Sequence, residues 1–380
     1  MSNQELSDLI TPVALVDLDR LEKNISDMAC RAQEGGVNLR PHIKTHKCIE
    51  IGKKQIQAGA KGITVSTLGE ASAFAKAGFT DITYAVPLAS DKFEGVRKLS
   101  EITHLNVLVD HPIVAKNLGL FCKENQLDID VLVKIDCGYP RCGIDPATPE
   151  AIALVRKIVD HPHLNFKGIL THAGHSYNAK TVAEIKTIAK HEQDVMVRFS
   201  QTLKEEDAKL TPEVVSIGST PTARLADTFH DGITEIRPGN YVFFDYTQVA
   251  LGSCNVTDCA FTILSSVISK NQWRTIIDAG ATALSKDLGP IHIDPNAGYG
   301  KIIQDYEAGR LDAGSNIESL SQEHGKVSTT GERDPCFSHS SRVRILPNHS
   351  CLTANLFDYY HVVRKVLVIE RWKVHRGRFD

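Results

Sequence analysis

The chain has 380 residues, 42% hydrophobic and 23% charged, an ordinary globular balance with room for one large domain and a smaller one. A net charge of −3 gives no electrostatic case for nucleic acid or an anionic membrane, and no apolar run is long enough to span a bilayer. The opening MSNQELSDLITP lacks the basic region and apolar core of a signal peptide, and nine cysteines form no CxxC, so a reduced, cytoplasmic setting is expected.

The segment ALVDL reads as a strand available to a later β domain, and LDRLEKNISDMACRAQEG as the first helix. Next comes VNLRPHIKTHK, residues 37–47. Read as a strand over 37–44, it places Val37, Leu39, Pro41, Ile43 and Thr45 on one face. Asn38, Arg40, His42, Lys44 and His46 take the other. A solvated edge would explain a polar face. A face of basic groups with no acid also fits a lysine whose pKa is lowered by its neighbours, and so a nucleophile or base at Lys44.

Seven further apolar runs of strand length follow. They are GITVST (62–67), ITYAVP (82–87), HLNVLVD (104–110), DIDVLVKIDCG (128–138), FKGILTHAG (166–174), VVSIGST (214–220) and EIRPGNYVFFD (235–245). Helical patterns lie between them. CIEIGKKQIQAG and GEASAFAKAG end on Gly59 and Gly78, as helices often do, and 180–210 reads as a charged outer helix. Eight strands alternating with helices imply a parallel sheet closed into a (β/α)8 barrel, with an open doubly wound sheet as the alternative. A barrel collects chemistry at the carboxyl ends of its strands. Those ends carry Lys44, Ser66, Thr67, Arg141, His172, Gly218, Ser219, Thr220, Gly239 and Asn240. SIGSTPT offers N–H groups and hydroxyls that suit a phosphate, or simply a polar turn starting a helix.

After about residue 250 the pattern changes to β-branched runs without long helices: CAFTILSSVIS, RTIIDAG, RVRILP and HVVRKVLVIERWKV. The expected division is a barrel over 20–248 and a mostly β domain from 1–19 and 249–380. Within the latter, RVRILPNHSCLT places His349 and Cys351 two apart, on one face of an extended backbone. An imidazole and a thiolate make half of a zinc site, leaving positions for a chelating substrate. The bland reading is a half-buried cysteine beside a loop histidine. QEHG adds Glu323 and His324. Asp278 reads as a turn residue, Tyr177 as a residue that reaches phosphate or caps its loop, and His175 as a site residue or a solvated one. Cys137, Cys142, Cys254 and Cys259 are taken as structural.

RPHIKTHK, VSTLGEA, DCGYPRCG, THAGHSY, SIGSTPT, RPGNYVFFD, IDAG, QEHG and PNHSC occur in the order found in D-serine dehydratases. The chain also resembles the D-threonine aldolases and 3-hydroxy-D-aspartate dehydratases, pyridoxal-phosphate enzymes of the alanine-racemase fold type. The resemblance covers nearly the whole chain. It implies a head-to-tail homodimer that binds pyridoxal 5′-phosphate (PLP) and one divalent metal ion. Lys44 matches the lysine that forms the Schiff base with PLP, Arg141 the arginine near its phenolic oxygen, and His172 the histidine against its ring. Ser219, Thr220, Gly239 and Asn240 match phosphate-binding positions, and Tyr177 an aromatic of the site motif. His349 and Cys351 match the metal ligands. Arg237 sits where alanine racemases hold a pyridine-nitrogen arginine, though the dehydratases vary there.

The resemblance implies a lyase that dehydrates small 3-hydroxy-D-amino acids, D-serine first and 3-hydroxy-D-aspartate as a competitor. Arg40 or another basic residue would meet the latter's second carboxylate. Catalysis would fall to Lys44 at the α-proton and to the metal at His349 and Cys351. The rival is retro-aldol cleavage on the same fold. Cys351 favours the dehydratase, because the aldolases more often carry a carboxylate there. A thiolate also favours zinc, with manganese, magnesium or cobalt as alternatives. A PLP carrier without catalysis is disfavoured by the β domain and the HSC pair, and a racemase by the lack of an identifiable second base.

Overall fold

Val13–Asp17 carries four buried residues in a row, and Asp17 caps the helix that follows, Leu18–Glu34, by accepting a hydrogen bond from Arg20 N. The strand pairs antiparallel with Phe261–Asn271 and parallel with Tyr359–Arg364, so the beginning of the chain is built into a sheet made by its end. The computed structural model describes residues 4–272, 274–329 and 337–378.

Between these elements runs a ring of parallel strands: Asn38–Leu39, Ile63–Val65, Asp81–Pro87, His104–Val109, Ile129–Lys134, Leu164–Leu170, Val214–Ile217 and Glu235–Ile236. The last pairs with the first, and an isolated bridge between His42 and Thr64 joins the first to the second. The barrel expectation therefore stands over the open sheet. The predicted helices form at Ile49–Gln57, Leu68–Lys76, Pro112–Asn125, Pro149–Val159 and Val182–Glu206. Gly59 and Gly78 follow the first two of these with φ of 106° and 92°, the left-handed turn that ends a helix without a Cβ clash. Phe93–Ser100 is a further helix that the sequence reading did not separate out.

Two predicted strands are much shorter than expected. The first ends at Leu39, because Pro41 has no N–H for a ladder, and Lys44 falls in a 3₁₀ turn, Ile43–Thr45. The last ends at Ile236, before Pro238, and a second 3₁₀ turn follows at Asn240–Val242. The alternating basic face over 38–46 is thus corrected. His46 turns into the core, where burial lowers its pKa to about 3 and Gln55 Oε1 lies 3.2 Å from Nε2. Arg40 points to the opposite end of the barrel and is held by Glu235 (2.7 Å) and, through two nitrogens, by Asp81 (2.7 and 2.8 Å).

The second sheet runs in the order Arg274–Ile277, Gly325–Thr329, Arg310–Leu320, Lys301–Asp305, Arg342–Leu346, Phe261–Asn271, Val13–Asp17, Tyr359–Arg364 and Leu367–Lys373 among the described residues. Phe261–Asn271 also pairs with Arg274–Ile277, which bends the sheet back on itself. The strands between Lys301 and Thr329 were not anticipated. Their burial is broken by register shifts, so the sequence shows no clean alternation there.

The Arg40 cluster is buried, with Arg40 9% and Glu235 5% exposed. Removing one partner of such a pair leaves an uncompensated charge. Arg40→Ala should lower unfolding stability by roughly 3–5 kcal/mol. A denaturant titration showing less than about 1 kcal/mol, the scale of an exposed pair, would contradict this.

Candidate active site

A cavity of about 620 Å³ opens at the carboxyl ends of the barrel strands and is roofed by the β domain. Lys44, Arg141, His172, Tyr177, Ser219, Thr220, Arg237, Gly239, Asn240, His349 and Cys351 all line it. The structure therefore brings together every one of these predicted positions. Glu323 and His324 lie elsewhere. Glu323 bonds Thr282 (2.8 Å), and His324 lines a separate groove with Arg274 and Lys326, so the QEHG cluster adds nothing to the site. His175 stacks on Tyr139 outside the lining, and Asp278 ties Thr11 to Ser265.

Lys44 makes no hydrogen bond or ion pair with any described residue. Burial lowers its pKa, Cys351 opposes this, and Arg141 and Arg237 lower it further. The cause thus differs from the sequence reading: desolvation leads, and the helpful cations come from other strands. His172 and His42 are both held neutral, by burial first and then by Lys44. His172 Nδ1 faces the Gly218 carbonyl at 3.3 Å, which fixes the tautomer with that nitrogen as donor.

One carboxylate supports two of the site's turns from beneath. Glu192 is fully buried, and its Oε1 accepts from Ala173 N (3.1 Å) and Gly218 N (3.0 Å). Gly218, at φ 112°, hands the chain to Ser219, which caps the short helix Thr220–Leu225 through Thr222 N. Thr220 Oγ1 accepts from Tyr241 N, and burial raises the Tyr177 pKa while Thr220 draws it back. Arg237 is buried and donates to Ser216 Oγ and to the carbonyls of Ile217 and Thr171.

The roof is the short helix Ser350–Ala354, with His349 as its first cap. The backbone is therefore not extended at the HSC pair, and the alternation argument for it is corrected. The side chains still meet, because Cys351 lies on the first turn directly after the capping residue. Burial opposes a charged imidazole, but Asp287 and Cys351 outweigh it and hold the His349 pKa well above its usual value. Burial likewise raises the Cys351 thiol, and His349 reverses the sign. Asp287 Oδ2 sits 2.8 Å from His349 Nδ1, so that nitrogen is taken and Nε2 is the ring's other donor or ligand atom. Thr45 Oγ1 lies 3.2 Å from Cys351 Sγ. Among the described residues no group of three or more His, Cys, Asp or Glu side chains is placed to hold a metal, so the pair is a two-residue donor set.

The site also contains residues the sequence reading passed over. Asp287, in SKDLGP, carried no local pattern. Lys134 did leave a signal, as a lysine inside the apolar run VLVKI; it is 4% exposed and lines the cavity.

Residues 16–247 match the family described as alanine racemase, N-terminal domain, and residues 260–363 the putative serine dehydratase domain. The chain belongs to the alanine-racemase-like D-serine dehydratase family. It is 37% identical to the D-serine dehydratase of Dictyostelium discoideum over 95% of each chain. It is also 37% identical to the D-threo-3-hydroxyaspartate dehydratase of Delftia sp. strain HT23, over 97% of this chain and 98% of that one. A D-threonine aldolase of Arthrobacter sp. is 28% identical over 97% of this chain and 93% of its own. Among solved structures, a cysteine-to-alanine variant of D-threo-3-hydroxyaspartate dehydratase in a metal-free form matches with a TM-score of 0.93 and 35% identity, over 99% of this chain and 100% of that one. A histidine-to-alanine variant of the same enzyme, two residues earlier in its chain, matches equally well at 0.93, over 99% of this chain and 97% of that one. Members of this family are thus both dehydratases and aldolases.

Burial lowers the Lys134 pKa to about 8, with Arg237 adding to it. Below that pH the folded state carries a charge that the unfolded state carries more cheaply, a cost of about 3 kcal/mol. Between about pH 8 and the ordinary lysine pKa the folded state has lost the proton and the unfolded state has not, so stability rises with pH. Lys134→Met should therefore raise the Tm at pH 7, and the gain should shrink as pH rises above 8. A gain independent of pH would refute the assignment of that cost to Lys134.

Proposed function

We propose that this chain is a PLP- and divalent-metal-dependent dehydratase of 3-hydroxy-D-amino acids, with D-serine to pyruvate and ammonia as the simplest case. The observation that carries the reading is the meeting of Lys44, an amine whose pKa burial lowers, with the His349–Cys351 pair across one cavity. The relatives' names and the paired cysteine and histidine variants, two residues apart, support it.

The residues present fit PLP. Lys44 offers an unpaired amine to an aldehyde. The hydroxyls of Ser219 and Thr220 and the backbone N–H groups around them and around Gly239 and Asn240 would hold a phosphate. The neutral His172 ring offers a flat face, and Arg141 a cation for the phenolic oxygen. Bound there, PLP supplies an electron sink for the pair left when a Cα–H bond breaks. His349 Nε2 and Cys351 Sγ would hold a metal, zinc by the softness of the thiolate, which supplies Lewis acidity toward a β-hydroxyl.

Lys44 then acts as the base. Desolvation and the two arginines lower its pKa, which favours the free amine that takes a proton from Cα. Arg141 and Arg237 add to that lowering, and His42 and His172, neutral themselves, add no competing acid at the same point. Asp287 fixes the orientation of the His349 ring through Nδ1, so Nε2 is the nitrogen that would take a metal as it gives up its proton. In this division of labour the barrel of 20–248 binds the cofactor, and the β domain of 1–19 and 249–380 brings the metal.

We further assign the protein to the cytoplasm as a homodimer. The described cysteines are all unpaired, as a reducing compartment requires, and no helix among the described residues is long and apolar enough to cross a membrane. Val366, Leu367 and Ile369 are exposed apolar side chains at the turn into and the start of the strand Leu367–Lys373, a patch that suits self-association.

Product analysis with D-threonine, zinc and PLP tests the reaction. The expected products are 2-oxobutanoate and ammonia, lost on adding EDTA; glycine and acetaldehyde would make the chain an aldolase instead. Lys44→Ala should abolish turnover. His349→Ala should cut it by about 10² or more while PLP absorbance is retained. Full activity in either variant contradicts the scheme.

A further inference from the structure

The C-terminal segment reaches the cavity wall at Arg378. After Leu367–Lys373 the backbone turns back over the barrel. Val374 N donates to Asp358 O (2.8 Å), His375 N to Lys47 O (2.7 Å), and Arg376 Nε to Asp358 (2.8 Å). The strap then lies on the first turn of Leu68–Lys76, where a Cβ on Gly69 would come within 2.7 Å of the Arg378 carbonyl oxygen. Gly69 is therefore the residue that lets the strap pass.

Lys47 joins this strap to the site. Its φ of 47° is a left-handed conformation uncommon outside glycine, and its carbonyl receives the His375 N–H. Its ammonium reaches Asn355 (2.6 Å) and Glu70 (3.4 Å), both in the cavity wall. Arg378 lines the same cavity, and its charge draws the buried Tyr84 phenol pKa down against the rise that burial imposes. Among the described residues Arg378 has no acidic partner. The residue first expected to meet a second carboxylate, Arg40, is engaged by Asp81 and Glu235 and is absent from the lining.

The lining carries six lysines and arginines, namely Lys44, Lys47, Lys134, Arg141, Arg237 and Arg378, against one carboxylate, Glu70. Most of these have work inside the site. Lys44 is the amine for the aldehyde, Arg141 is the cation proposed for the phenolic oxygen, Lys134 is buried at the end of its strand, Arg237 is committed to carbonyls, and Lys47 is shared between Asn355 and Glu70. The guanidinium on the strap remains. An amino acid whose β-carbon bears only a hydroxyl gives it nothing to bind. A β-carboxylate matches it, because the guanidinium fork pairs with a carboxylate through two hydrogen bonds.

We infer that Arg378, carried on the C-terminal strap and backed by Lys47, is a specificity-determining residue that binds the distal carboxylate of a 3-hydroxy-D-dicarboxylic amino acid. This rests on the dehydratase reading for the reaction but not for the binding. The test compares D-malate with D-lactate, hydroxy acids differing by one carboxylate and lacking the amine needed for turnover. Dissociation constants are measured by calorimetry on the PLP- and zinc-loaded protein at fixed ionic strength.

The wild type should prefer D-malate. Arg378→Gln should reduce that preference by about tenfold to a hundredfold, the worth of a charge-assisted pair. Gly69→Ala, which displaces the strap and leaves the guanidinium intact, should reduce it as well, and Arg378→Lys should keep part of it. A preference unchanged in Arg378→Gln, or absent from the wild type, overturns the inference. The ratio of kcat/KM for 3-hydroxy-D-aspartate to that for D-serine separates the two readings. If dehydration occurs and the ratio survives Arg378→Gln, the inference fails alone. If neither amino acid is dehydrated but D-malate binding still depends on Arg378, the reaction fails and the inference stands.

Discussion

The Asp245 carboxylate is the contact on which the site's geometry depends. It is fully buried, and it accepts from Asn240 Nδ2 (2.6 Å), Gln248 N (3.0 Å) and Ser350 N (2.8 Å). The first two belong to the segment leaving the barrel's last strand. The third belongs to the helix that carries Cys351. One buried acid therefore joins the two halves of the cavity, and an acid left unpaired there would be too costly to tolerate. The neighbouring bonds follow its lead: Asn240 Nδ2 also reaches Ser350 Oγ (2.9 Å), Tyr246 N reaches Pro347 O (3.0 Å), and Tyr360 donates to His46 O (2.7 Å).

With the halves so joined, the electrostatics of the cavity follow from crowding. Cations from several barrel strands converge where water is scarce. Coulomb repulsion and desolvation then act in the same direction on the lysines and histidines, and the cheapest way to relieve both is to lose protons. Lys44, Lys134, His42 and His172 are all shifted that way. His349 and Cys351 run oppositely, since each stabilises the charged form of the other. A lysine of lowered pKa on one wall and a mutually stabilised histidine–cysteine pair on the other are consequences of this arrangement. At the far end of the barrel Arg40 shows the contrast: two carboxylates meet it, so it stays charged and holds strands together.

Much of this was legible along the chain. Eight apolar runs with helical patterns between them imply the barrel, because a parallel strand must cross over through a helix before its neighbour can pair. The strand ends then located Lys44, His172 and the SIGST and PGN turns without any coordinates. The strands between Lys301 and Thr329 were not legible, since bulges and mixed exposure break the period of two. Asp287, Glu192 and Arg378 were not legible either. A lone acid in a loop, a glutamate on a long charged helix and an arginine near the chain's end look in sequence like solvated surface.

The sequence by itself determined which residue types stand at the strand ends and that His349 and Cys351 lie close together, because both depend only on local spacing. Only the tertiary structure decided that Lys44 sits in a turn, that its pKa is lowered chiefly by burial, and that Arg40 and His46 leave its company. It alone brought the C-terminal strap to the cavity wall. These outcomes depend on groups far apart in the chain coming within a few ångströms, and on how much water remains between them, which no local pattern encodes.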